Sequence, residues 1–444
     1  MKKTITTIAL VTMSGSAFAQ SGLDIDRAYA AELRADANTR SSLLGSNGAG
    51  LDVEIFTQFR YSYNTRDEEA GGTPFGDADT TMGFSTPRTQ IRLSGGVEGT
   101  DIAGHVSFDF GGAFDQGMSG TATGDGGATL REAYATWGID DNWTFLFGQL
   151  LNPFSAERNV APEFSQGVER SVLNTFFDVG YTQGIALNYT DDEWKFTVAL
   201  ADGPAVYAGG TGMAANSFYT SPGESDISVT GRLDWLISGN WDQFNDFAAW
   251  QGQNSGLRVG AGLHWSQKGD SNPATVTSVF GAGVDTETIT AWTVDAAYEA
   301  DGWGLFASYT SLNIDADFTA GAGQDLTNDG FLLQGNIFFS EQFEAFARYD
   351  IIFLDDDTSL AAFTLNDATS EDKYSTFTVG FNYYLVPESH AARFSMDLSV
   401  ALDDSSGMDY YGNSVATTGQ IGGTAGGTAA DNEFMIRGQF SLLF

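Results

Sequence analysis

From Leu51 onward the chain alternates apolar and polar residues with a period of two. Leu51, Val53, Ile55, Phe59 and Tyr61 share one face of an extended segment, and Asp52, Glu54, Gln58 and Arg60 share the other. Successive side chains of a strand point to opposite faces, so the pattern predicts a half-buried strand, not a helix. It recurs over residues 88–97, 102–110, 130–139, 143–150, 183–190, 194–200, 227–237, 257–267, 288–298, 305–312, 331–339, 343–353, 374–385, 391–402 and 433–444, which with the first segment makes sixteen candidate strands. In 343–353, Phe343, Ala345, Ala347, Tyr349, Ile351 and Phe353 oppose Glu344, Arg348 and Asp350, with Phe346 and Ile352 as exceptions on the polar face.

The connections alternate in length. Those after the second, fourth, sixth, tenth, twelfth and fourteenth strands are a few residues long, with turn chemistry such as Asp140-Asp141 and Asp301-Gly302. Those after odd-numbered strands are long and rich in Gly, Asp, Thr and Ala. Alternation alone also describes a soluble sandwich. Short turns on one side and long loops on the other predict an all-β fold, a transmembrane antiparallel β-barrel of sixteen strands spanning 51–444. Two connections depart from the scheme. Residues 151–180, after the fifth strand, are long, charged and mixed in character, and are expected to fold into the lumen. Residues 239–256 are long on the short side, which implies a misplaced hairpin or a periplasmic protrusion.

The first fifty residues differ. Lys2 and Lys3, the apolar run after them and Ala17-Phe18-Ala19 predict a secretory signal peptide over 1–19. Residues 20–50 predict a short N-terminal periplasmic helix, with Asp24 as a cap and Gly45 as a stop; a short coiled coil or a mobile leader are the alternatives. No later stretch approaches eighteen consecutive apolar residues, so helical membrane spans are excluded.

Composition narrows function. The chain has no Cys, which removes disulfides and thiolate-bound metals. With 58 acidic against 20 basic residues, a formal charge of −38, it repels nucleic acid. Enzyme chemistry finds no support, since His105, His264 and His390 lie on separate segments and no nucleophile or metalloprotease motif surrounds them. Aromatics at strand ends (Tyr61, Trp143, Tyr189, Trp265, Trp303, Tyr349, Tyr383 and Tyr384) suit interfacial girdles in contact with outer-membrane lipids.

Parity assigns a lumen wall of Arg60, Arg88, Arg92, Arg232, Arg258, Arg348, Arg393 and Arg437, with Asp397 among the acids on the same face. Opposed charges across a pore orient polar solutes and set ion preference. Within the excursion, Glu157, Arg158, Glu163, Glu169 and Arg170 are the candidate pore-constriction residues; the neighbouring pairs Glu157–Arg158 and Glu169–Arg170 could also neutralise each other. The acidic loop Asp355, Asp356 and Asp357 is a candidate for loosely bound Ca²⁺, though it lacks a dedicated calcium-loop pattern, and a solvated acidic surface is the plainer reading. No other cofactor is implied.

The segment GQLLNPFSAERNVAPEFSQGVERS resembles the phosphate-selective porin O and P superfamily. There, a strand ending in Gly-Arg or Gly-Lys leads into Pro-Phe-x-x-Glu and then a Glu-Arg pair. Gly148, Pro153, Phe154, Glu157, Glu169 and Arg170 occupy those positions, and Gln149 stands in place of the basic residue. The later segment VGFNYYLVPESHAARFSMDLS is similar to the family through Gly380, Asn382, Tyr383, Tyr384, His390, Arg393 and Asp397. The resemblance implies a homotrimer of sixteen-stranded barrels in the outer membrane of a Gram-negative-type bacterium. It implies a third external loop that narrows the pore, and a terminal Phe444 read by the barrel assembly machinery. It implies diffusion of ions and small hydrophilic solutes through a constricted, water-filled pore. Anion-selective members line the path with lysines and arginines; beyond the leader this chain has only Lys195, Lys268 and Lys373. The charge balance therefore points to a weak cation preference. An anion (phosphate)-selective channel and a mainly structural surface-array protein are the alternatives.

Overall fold

The computed structural model describes residues 51–68, 80–110, 128–203, 216–217, 225–268, 284–318, 323–355, 373–403 and 430–444. The expected signal peptide, the expected helix over 20–50, and Asp356 and Asp357 lie outside the described residues.

Sixteen antiparallel strands form the wall. They are β1 (Leu51–Glu68), β2 (Thr80–Ser85 continued by Thr89–Gly96), β3 (Ile102–Asp109), β4 (Thr129–Gly138), β5 (Trp143–Leu151), β6 (Tyr181–Thr190), β7 (Trp194–Ala201) and β8 (Ser225–Ser238). They continue with β9 (Gly256–Lys268), β10 (Val284–Ala300), β11 (Trp303–Phe318), β12 (Gly323–Ser340), β13 (Phe343–Phe353), β14 (Lys373–Tyr384), β15 (Ala392–Ala401) and β16 (Ala430–Leu443). Each strand pairs with its sequence neighbours, and β16 returns to β1 in the register Phe59↔Phe440 and Tyr61↔Gly438, which closes the barrel. Both halves of β2 pair with β1; between them Pro87, which has no N–H to donate, interrupts the ladder. A two-residue bridge, Asn216–Ser217, pairs parallel with Tyr181 and Thr182.

Burial follows the alternation. Along β13, Glu344, Phe346, Arg348, Asp350 and Ile352 are buried while their neighbours are half-buried or exposed. The outward face is apolar, with Phe59, Leu233, Leu263, Val294, Leu305, Leu333 and Phe394 exposed around the circumference. A closed ladder leaves no wall backbone group for lipid to satisfy, so this apolar band can sit in hydrocarbon. Ring pairs stand at the short-turn rim: Trp143 with Tyr189 (4.8 Å), Trp194 stacked on Trp235 (5.4 Å) and Tyr298 with Trp303 (5.2 Å). Their amphipathic rings suit the membrane–water boundary.

The main hydrophobic core of the described residues lies inside the barrel. Phe154, Val172, Leu173, Phe176 and Phe177 of the excursion pack with inward Ile289, Phe306, Leu312, Ile314, Leu332 and Ile352. This explains the apolar residues at inward positions: they meet a folded segment, not water. Residues 239–256 are neither a misplaced hairpin nor a protrusion. They turn inward at the short-turn mouth, burying Phe244, Phe247, Ala248, Ala249 and Trp250.

Leu333→Arg, on the outward face of β12, is expected to destabilise the folded barrel by about 2–4 kcal/mol if the position lies near the bilayer midplane. Denaturant titration in lipid vesicles reads this directly, and an unchanged midpoint would contradict a lipid-facing Leu333.

Candidate pore constriction

The excursion between β5 and β6 contains two short helices, α1 (Ala156–Asn159) and α2 (Val172–Phe177), with a 3₁₀ turn at Pro162–Phe164. Ser155 caps α1 by accepting from the Arg158 amide, and Ser171 caps α2 by accepting from the Asn174 amide. Glu157 ties the two together, accepting from the Ser171 backbone N (2.7 Å) and Oγ (2.5 Å). Two wall glycines make room for the segment. A Cβ on Gly262 would lie 2.3 Å from the Phe154 carbonyl, and one on Gly330 would lie 2.6 Å from Leu173 and 2.7 Å from Phe177.

The sequence-derived constriction residues act mainly as fasteners. Glu169 is bound by Arg88 (Nη1 2.9 Å, Nη2 2.8 Å) and by Arg60. Glu163 takes a two-pronged contact from Arg92, which also holds Glu54. Arg170 donates to the Val160 carbonyl (2.7 Å), and Arg158 pairs with Asp178 (3.0 Å) over the Tyr181 ring. Glu169 thus reaches past Arg170 to the wall. Burial alone would raise the Glu169 carboxyl, but Arg88 and then Arg60 outweigh it and hold the group well below the ordinary carboxylate range.

All eight predicted wall arginines and Asp397 face the interior. Arg348 donates to the Glu169 carbonyl (2.9 Å) and Arg393 to the Ser165 carbonyl (2.9 Å). Arg437 forms a paired contact with Asp397 (2.8 Å twice), whose carboxylate also accepts from the Val168 amide (3.2 Å). Across the lumen Arg232 donates to the Phe154 carbonyl (3.1 Å), and both Arg232 and Arg258 contact Asp295. Asp355 accepts from the Thr327 amide (3.0 Å). Among the described residues no group of three or more His, Asp or Glu is placed to hold a metal.

Two features escaped sequence reasoning. Arg131 has outward parity, yet it is buried against Asp109 (3.3 Å) and Tyr181. Ser107 pairs with Glu132 and Phe108 with Leu130, so Arg131 is the extra residue of a β-bulge that turns it inward. The second is the hub around Glu344. Its carboxylate accepts from Gln166 (2.6 Å), Asn336 (2.6 Å), Asn382 (2.7 Å) and Tyr384 (2.8 Å). Asn336 also donates to the Phe247 carbonyl (3.1 Å), which joins the external excursion to the inward segment at the other mouth.

A closed sixteen-stranded barrel with a lipid-compatible exterior and a charged interior crossed by an inward loop defines an outer-membrane porin. The chain belongs to the family "Phosphate-selective porin O and P", whose model matches residues 53–415. It is a divergent member; no curated protein matches it. Among solved structures it is similar to the outer membrane channel DcaP of Acinetobacter baumannii, at 14% identity and TM-score 0.54 over 89% of this chain and 98% of that one. It is similar to an anion-selective porin from Comamonas acidovorans, at 12% identity and TM-score 0.53 over 89% of this chain and 100% of that one. It is also similar to OmpF of Salmonella typhi, in complex with daunomycin, at 14% identity and TM-score 0.52 over 89% and 98%. At these identities the likeness is one of fold. The family places the protein in the outer membrane of a Gram-negative-type bacterium, as a diffusion channel and not an enzyme.

Glu169→Ala removes the carboxylate that bridges two buried guanidinium groups, a change expected to cost about 3–5 kcal/mol. The lowered pKa of Glu169 means its contribution is complete above the unfolded carboxylate value and is lost only as pH falls through the folded value. Unfolding midpoints of the two proteins should therefore differ at pH 7 and converge in strong acid.

Proposed function

We propose that this porin passes small anionic solutes in preference to cations, along an arc of arginines on neighbouring strands. The observation that carries this is the row Arg393 on β15, Arg437 on β16, Arg60 on β1, Arg88 at the break in β2 and Arg92 on β2, extended by Arg131 on β4. Carboxylates occupy part of their donor capacity. Arg92, whose side chain is 17% exposed, is the member of the row most open to water, while Arg60 and Arg393 lie behind it, 2% and 1% exposed.

The opposite reading rests on the formal charge of −38. The acidic runs read from the sequence at 67–69, 77–79, 355–357 and 403–404 lie at or beyond strand ends. A charge more than a Debye length from the ion path, about 8 Å at physiological salt, is largely screened, whereas a guanidinium at the narrow region acts on each ion directly. The charge lining the narrow region, and not the net charge of the chain, therefore sets ion preference. Those acidic loops remain our proposed site for loosely held Ca²⁺, and the assembly we propose is a homotrimer. Phe444, exposed and paired through its backbone with Ile55 (2.7 and 3.0 Å), is our proposed recognition point for barrel assembly.

Single-channel recording in planar bilayers under a salt gradient tests the selectivity. The reversal potential is expected on the anion side and should shift toward zero in Arg92→Ala, the member of the row most open to water. A cation-side potential unchanged in that variant would restore the reading from net charge.

A further inference from the structure

We propose that residues 240–255 form a second constriction at the periplasmic mouth, which closes the side of β7–β15 and confines solutes to the side of β1–β6. The inference rests on the chain being a pore and not on its ion preference.

The segment is longer than its connection requires. The ends of β8 and β9 are adjacent: a Cβ on Gly239 would lie 2.8 Å from the Gly256 Cα. A two-residue turn spans antiparallel neighbours at that separation, so the sixteen residues between them have another use. They are fixed along a wide stretch of the rim. At one end the Trp241 indole donates to the Asp191 carbonyl in the β6–β7 turn (2.7 Å), with Lys195 Nζ 4.6 Å from its ring. In the middle Gln243 and Asn240 form a reciprocal capping box. At the far end Trp250 packs on Phe338 (4.9 Å) and Tyr384 (4.6 Å), and Asp246 meets His390 of the β14–β15 turn (3.1 Å). The Gly252 amide donates to Asp301 (2.6 Å) and Gln251 to the Phe338 carbonyl (3.2 Å). A mobile periplasmic turn would not bury Trp250 to 2% exposure or engage three other turns.

The consequence is an uneven mouth. Inward side chains beneath the segment are sealed: Ala297 is 6% exposed, Phe338 5% and Glu344 0%. Inward side chains on the other side are wet: Glu132 is 25% exposed, Glu54 24% and His105 18%. Those residues, with Arg92, would meet a solute between the external loop and the periplasm. They are the second specificity filter in series with the first.

The absence of native cysteine makes the test direct, because any introduced thiol is the only one. Glu132→Cys and Ala297→Cys are reconstituted as full-length channels, and a charged, membrane-impermeant methanethiosulfonate reagent is added to the periplasmic side while current is recorded. Glu132→Cys should react at once and change the current. Ala297→Cys should react on the order of 100-fold more slowly, as for a position reached only through a minority opening. Equal rates would overturn the proposal. A second protein replaces residues 240–255 with Asn-Gly. Its conductance should rise, and in that background Ala297→Cys should react as fast as Glu132→Cys. Unchanged conductance in a shortened chain that keeps its folded, heat-modifiable mobility would also overturn it. If the shortened chain does not fold, the two cysteine rates in the full-length protein decide.

Discussion

The requirement that no backbone hydrogen-bonding group face lipid unpaired governs this molecule. It forces the sixteen strands into a ring, and the seam between β1 and β16 closes it, running from Phe56↔Leu443 to Glu68↔Ala430. Once the ring is closed, the apolar side chains of each strand need not find a protein partner, because the membrane covers them. The burial problem moves inside. There, an interior too wide for wall side chains to fill is occupied by two segments of the chain itself, one from each mouth.

Charge inside such a space must be matched locally. The interior arginines do not form a bare positive surface; each is met by a carboxylate, a loop carbonyl, or both, as Arg348 is by Glu157 and the Glu169 carbonyl. Breaking one member of such a buried set costs more than the set contributes, since the remaining charge has no water to turn to. The same contacts give the loop its shape. Glu163 and Glu169 grip one arc of the wall while Leu173 and Phe177 rest on the other, so position is set by polar specificity on one side and by shape on the other.

Strand number, inward parity and the placement of the excursion were legible in the sequence because each is a local, repeating signal. Period-two alternation needs only a few residues to read, and all eight arginines assigned by it do face inward. Arg131 was not legible, because a bulge inserts one residue and reverses parity with no marker in the residues around it. Nor was the inward turn of residues 239–256. Its apolar cluster, FAAW, reads equally well as a protrusion, and only the distant Phe338, Tyr384 and His390 make the interior its place. For Glu163 and Glu169 the sequence shows a charge but not its partner, and Arg92, Arg88 and Arg60 are brought to them only by the closed wall.

One contact set carries a consequence for how the protein is built. The excursion binds both flanks of the seam: its Glu169 holds Arg60 on β1, its Val168 amide donates to Asp397 on β15, and its Ser165 carbonyl accepts from Arg393. Those partners come from opposite ends of the polypeptide and are neighbours only after the ring is joined. The full set of contacts that seats the loop therefore exists only in the closed barrel. A barrel stalled before closure would be a different object, a wider curled sheet with its lock still loose.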